Sequence, residues 1–130
     1  MSIHRYLYTR ELSSPRVRAA WRDSHLIEYL SLGNVTRTGH LVDDDRSNTY
    51  RALRYVGSAR WGEFLYAEFT ALADWNFTAV AFREAFDVRA DPYMLDNVWA
   101  RLAPENQSAL ADELRARWRC AGTDGDDACA

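Results

Sequence analysis

A chain of 130 residues and 15.0 kDa is long enough for one core that buries roughly two thirds of the unfolded surface. With 48% hydrophobic, 13% aromatic and 27% charged residues, it is too apolar and too rich in rings for a disordered chain. All sixteen Lys/Arg positions are arginine, which excludes Schiff-base chemistry, a Walker-loop lysine and the strand lysine of a protein kinase, because each needs an ammonium on a flexible stem. The net charge of −3 offers no global field toward nucleic acid or an anionic membrane. Residues 1–60 carry ten arginines against six carboxylates, and residues 61–130 carry six against thirteen. The chain is therefore polarised along its length, and attraction between the halves of one folded body is the expected consequence.

The first ten residues are charged where a signal peptide needs an apolar stretch. No run approaches the roughly 20 apolar residues that span a bilayer. The expectation is a cytoplasmic protein with no membrane partner. Ile3 to Arg10 alternates weakly and predicts a strand. Ser14-Pro15 opens a helix carrying Val17, Ala20 and Trp21, which re-nucleates near Asp23 and runs through Leu26, Ile27, Leu30 and Leu32 to Gly33-Asn34. Val35 to Val42 is β-branched and could pair with the first strand, closing at the acidic turn Asp43–Asn48.

From Asn48 onward the spacing predicts helices. Tyr50, Leu53 and Val56 fall on one face before Gly57-Ser58; Trp61, Phe64, Leu65, Glu68, Leu72 and Trp75 follow; Asn76 caps a segment through Phe77, Val80, Ala81 and Phe86. Asp91-Pro92 opens a helix with Met94, Leu95, Val98, Trp99 and Leu102, and Ala103-Pro104 opens one with Leu110, Leu114, Arg117 and Trp118. The predicted fold is mainly α with a small antiparallel β element near residues 3–9 and 35–42. The alternative is a ferredoxin-like βαββαβ layout, which needs strands around Tyr50–Val56 and Val80–Phe86. Residues 1–120 form a single domain in this reading. Residues 121–130, small and acidic, form a flexible tail.

Cys120 and Cys129 match no zinc or thioredoxin spacing and are expected to be free thiols, with a disulfide as the alternative. His25 and Glu28, three apart on the predicted helix, would share a face suited to a general base and its orienting carboxylate, with His40 as a further candidate beside Asp43, Asp44 and Asp45. A surface pair and a solvated acidic turn explain them more simply, and no metal or cofactor is expected, because the acidic loops lack the alternating ligands of a calcium site. Gly57 to Gly62 has phosphate-loop glycine spacing without the lysine, and reads as a helix junction.

The segment 46–61 interleaves Arg46, Arg51, Arg54 and Arg60 with Tyr50, Tyr55 and Trp61, residue types enriched at protein-interface hot spots and also suited to phosphate contact and base stacking. An ordinary helix with an apolar side and an arginine-rich wet side explains the same residues. The dense block Trp61, Phe64, Tyr66, Phe69, Trp75, Phe77, Phe82 and Phe86 is explained by packing, with a pocket between helices as the alternative. The function expected is non-catalytic: an interaction protein of inhibitor, immunity or adaptor type that binds another protein through 46–61. A small acid–base enzyme with an aromatic-lined pocket, using His25, Glu28 and His40, is the alternative, and a nucleic-acid-binding module the third.

Overall fold

The computed structural model describes residues 22–31, 47–71 and 74–120. Their architecture is a four-stranded antiparallel sheet in the order β1-β2-β3-β4 with one C-terminal helix. The strands are β1 (Ser24–Tyr29), β2 (Tyr50–Ser58), β3 (Gly62–Thr70) and β4 (Val80–Asp87), and the helix α1 is Pro104–Arg119, preceded by a 3-10 turn at Trp99–Arg101. The mainly helical expectation is thus overturned, and so is the ferredoxin-like alternative, because each strand pairs antiparallel with the next in sequence, whereas a βαββαβ layout needs crossovers between non-consecutive neighbours. The strands expected near 3–9 and 35–42, the helix start at Pro15 and the acidic tail lie outside the described residues.

The physical reason for the correction is that this sheet carries large side chains on both faces. Strand positions i and i+3 then both look apolar, and the alternation that marks a one-sided strand is blurred. In β2, Leu53 and Tyr55 are buried on the helix face, while Tyr50 and Val56 point to the other. The apparent helical face Tyr50, Leu53 and Val56 therefore mixes the two sides of a strand. Gly57 and Gly62 have φ of +64° and +66°, a left-handed backbone that glycine adopts without a Cβ penalty, and they bracket the β2–β3 hairpin whose ends pair at Ser58 and Gly62. Two apolar runs separated by a short glycine-bounded segment are a hairpin signal, and here it outweighed helical spacing.

The helix predicted from Pro92 is likewise replaced by a loop. The Asp91 carboxylate accepts hydrogen bonds from the backbone N–H groups of Leu95 and Asp96 at 2.6 and 2.8 Å, as an N-cap would. Met94, at φ +54°, then turns the chain out of the right-handed region. The helix from Pro104 forms as expected, with the proline in its first turn, Glu105 near its N-terminus and Arg117 and Arg119 in the last turn, all favourable to the helix dipole.

Leu110 and Leu114 of α1, both fully buried, close one face of the sheet over Leu53, Tyr55, Phe64, Tyr66 and Ala85, with Leu26, Val98, Trp99 and Leu102 around them. Tyr66 stacks on Trp99 at 5.1 Å between ring centroids. The outer edge of β4 is capped by a side chain: the Asn97 amide oxygen accepts from Ala85 N at 3.0 Å, its NH2 donates to the Arg83 carbonyl at 3.0 Å, and Val98 N donates to the Ala85 carbonyl at 2.8 Å. An amide here satisfies the edge as another strand would. Asn97→Ala is expected to cost about 1–3 kcal/mol in urea unfolding, because the Ala85 and Trp99 N–H groups lose their acceptor. A loss below about 0.5 kcal/mol would show that water replaces the amide at that edge.

Candidate functional site

Register places three cross-strand rows on each face. On the helix side, Leu26, Leu53, Tyr66 and Ala85 form the central row, and Glu28, Arg51, Glu68 and Arg83 form the next. That second row alternates in charge across all four strands. Arg51 and Glu68, whose side chains are 4% and 1% exposed, meet through Nε at 3.0 Å and Nη2 at 2.7 Å to one carboxylate oxygen. The other oxygen accepts from the Tyr66 hydroxyl at 2.8 Å and lies 3.5 Å from Arg83 Nε. The Arg51 guanidinium sits between the rings of Phe77 and Trp118, 4.4 and 4.6 Å from their centroids. Burial, with Glu68 next to it, pushes the Tyr66 phenol above its ordinary value. This arrangement holds α1 to the sheet, and every charge at its centre is occupied by a partner.

On the opposite face, no described element covers the sheet. Its rows are His25–Arg54–Leu65–Phe86, Ile27–Ala52–Ala67–Glu84 and Tyr29–Tyr50–Phe69–Phe82. The last is a continuous ladder of rings across the four strands, with centroid separations of 5.5, 5.2 and 5.9 Å. Tyr29 and Phe82 at its ends are 41% and 52% exposed. The loop after β4 adds Tyr93, more than four-fifths exposed, and Met94. Between the rows of large side chains lies a cavity of about 420 Å³ lined by Tyr50, Ala52, Leu65, Ala67, Phe69, Glu84, Phe86, Tyr93 and Met94, among others.

The residues expected to form one contact surface are divided between the faces. Arg51 and Tyr55 are buried on the helix side. Tyr50 stands in the ring ladder. Arg54, on the other face, donates to the Tyr55 and Phe64 carbonyls and pairs with Glu63 at 2.8 Å. Arg60 stacks over Trp61 in the hairpin turn, and Trp61 packs against the core. Arg46 and His40 lie outside the described residues. His25 and Glu28 occupy β1, where an odd spacing sends them to opposite faces, so the proposed base and its orienting carboxylate do not meet. Among the described residues no group of three or more His, Cys, Asp and Glu is placed to hold a metal ion.

Comparison with known proteins finds no match: no family model, curated protein or solved structure resembles this chain.

Sequence reasoning missed Tyr29, Glu84 and Tyr93, and noted Phe69 and Phe82 as packing, with a pocket between helices as the alternative. The signal for them was the period-2 recurrence Tyr50, Ala52, Arg54 against Leu65, Ala67, Phe69 and Phe82, Glu84, Phe86, visible once the hairpin at Gly57–Gly62 is recognised. Cys120 is disulfide-bonded and not the free thiol expected; the chain's other cysteine, Cys129, lies outside the described residues. Among the described residues no helix is long and apolar enough to cross a membrane.

Two carboxylates on the helix-free side respond oppositely to their surroundings. Glu63 is held below the ordinary carboxylate range by its hydrogen bond from Arg54 and by the Gly57 N–H, so its contribution to stability is present above the unfolded value and is lost as pH falls through the folded one. Glu84 is pushed up by burial alone, so the folded state gains relative stability as Glu84 takes up a proton on acidification. Glu63→Gln is expected to flatten the acid limb of a stability–pH curve, and Glu84→Gln to steepen it. Melting temperatures measured from pH 7 down to pH 3 report both, and parallel curves for the two variants would contradict the assignment.

Proposed function

We propose that this chain is a non-catalytic binding protein whose contact surface is the face of the sheet opposite α1 and whose partner is another protein. The observation that carries the reading is the ring ladder Tyr29–Tyr50–Phe69–Phe82, whose Phe82 end is 52% exposed, with the exposed Tyr93 beside it on the cavity. A row of rings beside alanines, with Arg54 and Glu63 already paired and Glu84 the carboxylate left without a partner, matches the composition of a protein interface core. A partner that presents apolar surface with a positive group opposite Glu84 complements this face in shape and charge. Nucleic acid fits less well, because Arg51 and Arg54 are already engaged by Glu68 and Glu63 and phosphates would meet the unpaired Glu84.

The sequence favours the cytoplasm, whereas a disulfide at Cys120 suits an oxidising compartment better. Thiol labelling of the native protein followed by mass spectrometry separates the two locations.

Phe82→Glu places a charge in the ladder at a half-exposed position, and Ser108→Glu places the same charge on the exposed side of α1. With nuclease-treated native extract, a partner held by the parent and by Ser108→Glu is expected to be lost from Phe82→Glu, while both variants melt within a few degrees of the parent. Capture that survives Phe82→Glu, or that disappears with nuclease, overturns the reading. Light scattering of the parent reports whether the partner is a second copy.

A further inference from the structure

The cavity on the face opposite α1 follows from the order of side-chain sizes along three rows. Tyr50 and Phe69 of the ring row form one wall, and Leu65 with Phe86 forms the other. The row between them carries only methyl groups at its centre, where Ala52 and Ala67 pair in register and are both buried. The result is a trough with an alanine floor. Its volume of about 420 Å³ lies within the range of small-molecule sites.

Glu84 stands at the β4 end of the floor row. Among the described residues it has no hydrogen-bond or ion-pair partner, whereas Glu63 and Glu68 are both engaged. Its neighbours along the strand on this face are Phe82 and Phe86, and across the strand is Ala67. Burial without a partner holds its carboxyl above the ordinary range. The trough's mouth is set by the loop after β4. Met94 adopts φ +54°, its N–H bonds the Asp91 carbonyl, and the Asp91 carboxylate fixes the two following N–H groups. A left-handed non-glycine residue held by three hydrogen bonds is a strained element that the surroundings over-determine, and it directs Tyr93 and Met94 to the cavity.

We propose that this trough binds a small organic ammonium ion with an apolar substituent, with Glu84 as its charge partner, the rings of Tyr50, Phe69 and Tyr93 around the cation, and the alanine floor under the substituent. The proposal rests on the face opposite α1 being the protein's binding surface and names a ligand class for its cavity. A carboxylate partly removed from water without a partner carries a desolvation cost, and a cation that enters offsets it. Ring faces carry negative charge density and attract a cation within about 6 Å. A neutral apolar ligand would leave Glu84 desolvated and unpaired, and an anion would be repelled. Among the described residues no cation pairs with Glu84, and Arg54, which shares this face, is tied to Glu63.

The test is titration of the purified chain, followed by calorimetry and by amide chemical shifts, with 2-phenylethylammonium, its neutral isostere 2-phenylethanol and the anion 3-phenylpropionate. The ammonium is expected to bind at least about tenfold more tightly than the alcohol, and the anion not at all. Glu84→Gln should bring the ammonium down to the level of the alcohol while the melting temperature at pH 7 stays equal or rises, a combination that a merely structural carboxylate would not give. Ala67→Leu should fill the floor and abolish binding of both. Absence of ammonium binding to the parent, equal binding of the alcohol, or indifference to Glu84→Gln overturns the proposal. If ammonium binding fails while Phe82→Glu still abolishes partner capture, the cavity proposal falls and the protein-binding face stands. If ammonium binds through Glu84 but capture ignores Phe82→Glu, the macromolecular reading falls instead.

Discussion

Glu68→Ala is expected to destabilise the protein by about 3–5 kcal/mol, the range for removing one member of a buried ion pair. Glu68 is 1% exposed and accepts from Arg51 and Tyr66 while lying beside Arg83. Its loss leaves the Arg51 guanidinium enclosed between Phe77 and Trp118 without an anion. The two rings retain part of its stabilisation but cannot replace a carboxylate. The control is the double variant Arg51→Met, Glu68→Leu, which removes both charges and keeps volume in the site. It should cost less than Glu68→Ala alone, because the penalty of the single change is dominated by the stranded charge and not by the worth of the pair. Urea unfolding of the parent, the single variant and the double variant decides the matter. A single-variant loss under about 1 kcal/mol, or a double variant worse than the single, would mean that water reaches Arg51 and that the row is a surface network.

Leu110→Ala should cost about 2–5 kcal/mol, as large-to-small changes in a packed core do. Leu110 is fully buried and, with Leu114, is the part of α1 that closes the helix face over Leu53, Tyr55 and Tyr66. The informative comparison is Leu95→Ala. Leu95 is 85% exposed, and truncating it should change stability by no more than about 0.5 kcal/mol. Both leucines were read from helical spacing as core, so this pair of melts tests the fold and not only a contact. Equal losses at the two positions would restore a helix after Pro92 and refute the loop held by Asp91. An unaffected Leu110→Ala protein would mean that α1 is not docked on the sheet.

The candidate site was legible only in part. Tyr50 belonged to the segment chosen for its arginines and rings, and Phe69, Phe82 and Phe86 to the aromatic block, but Arg51 and Arg54 of that segment are used up in pairs with Glu68 and Glu63. Composition identifies which residues can make strong contacts. It does not say which of them the fold will turn inward. Glu84 drew no notice in the sequence because a single glutamate among helix formers is ordinary; its lack of a partner is a property of the row it occupies, between Phe82 and Phe86 and across from Ala67.

Some features needed no tertiary information. The absence of lysine and the chemistries it removes follow from composition, and the helix after Ala103 follows from a proline that its first turn accepts and from Leu110 and Leu114 four apart on one side. These are local properties, decided within a few residues by backbone geometry and functional-group inventory. Tertiary structure decided whether 50–58, 62–70 and 80–87 would be strands. Their alanines, glutamates, arginines and leucines favour helix in isolation, yet as helices they could not have placed Arg51 against Glu68 or Leu53 against Tyr66. A sheet with large side chains on both faces owes its pairing to contacts between residues such as Tyr55 and Phe64 or Phe69 and Phe82. Such cross-strand contacts set β preference by packing context more than by intrinsic propensity.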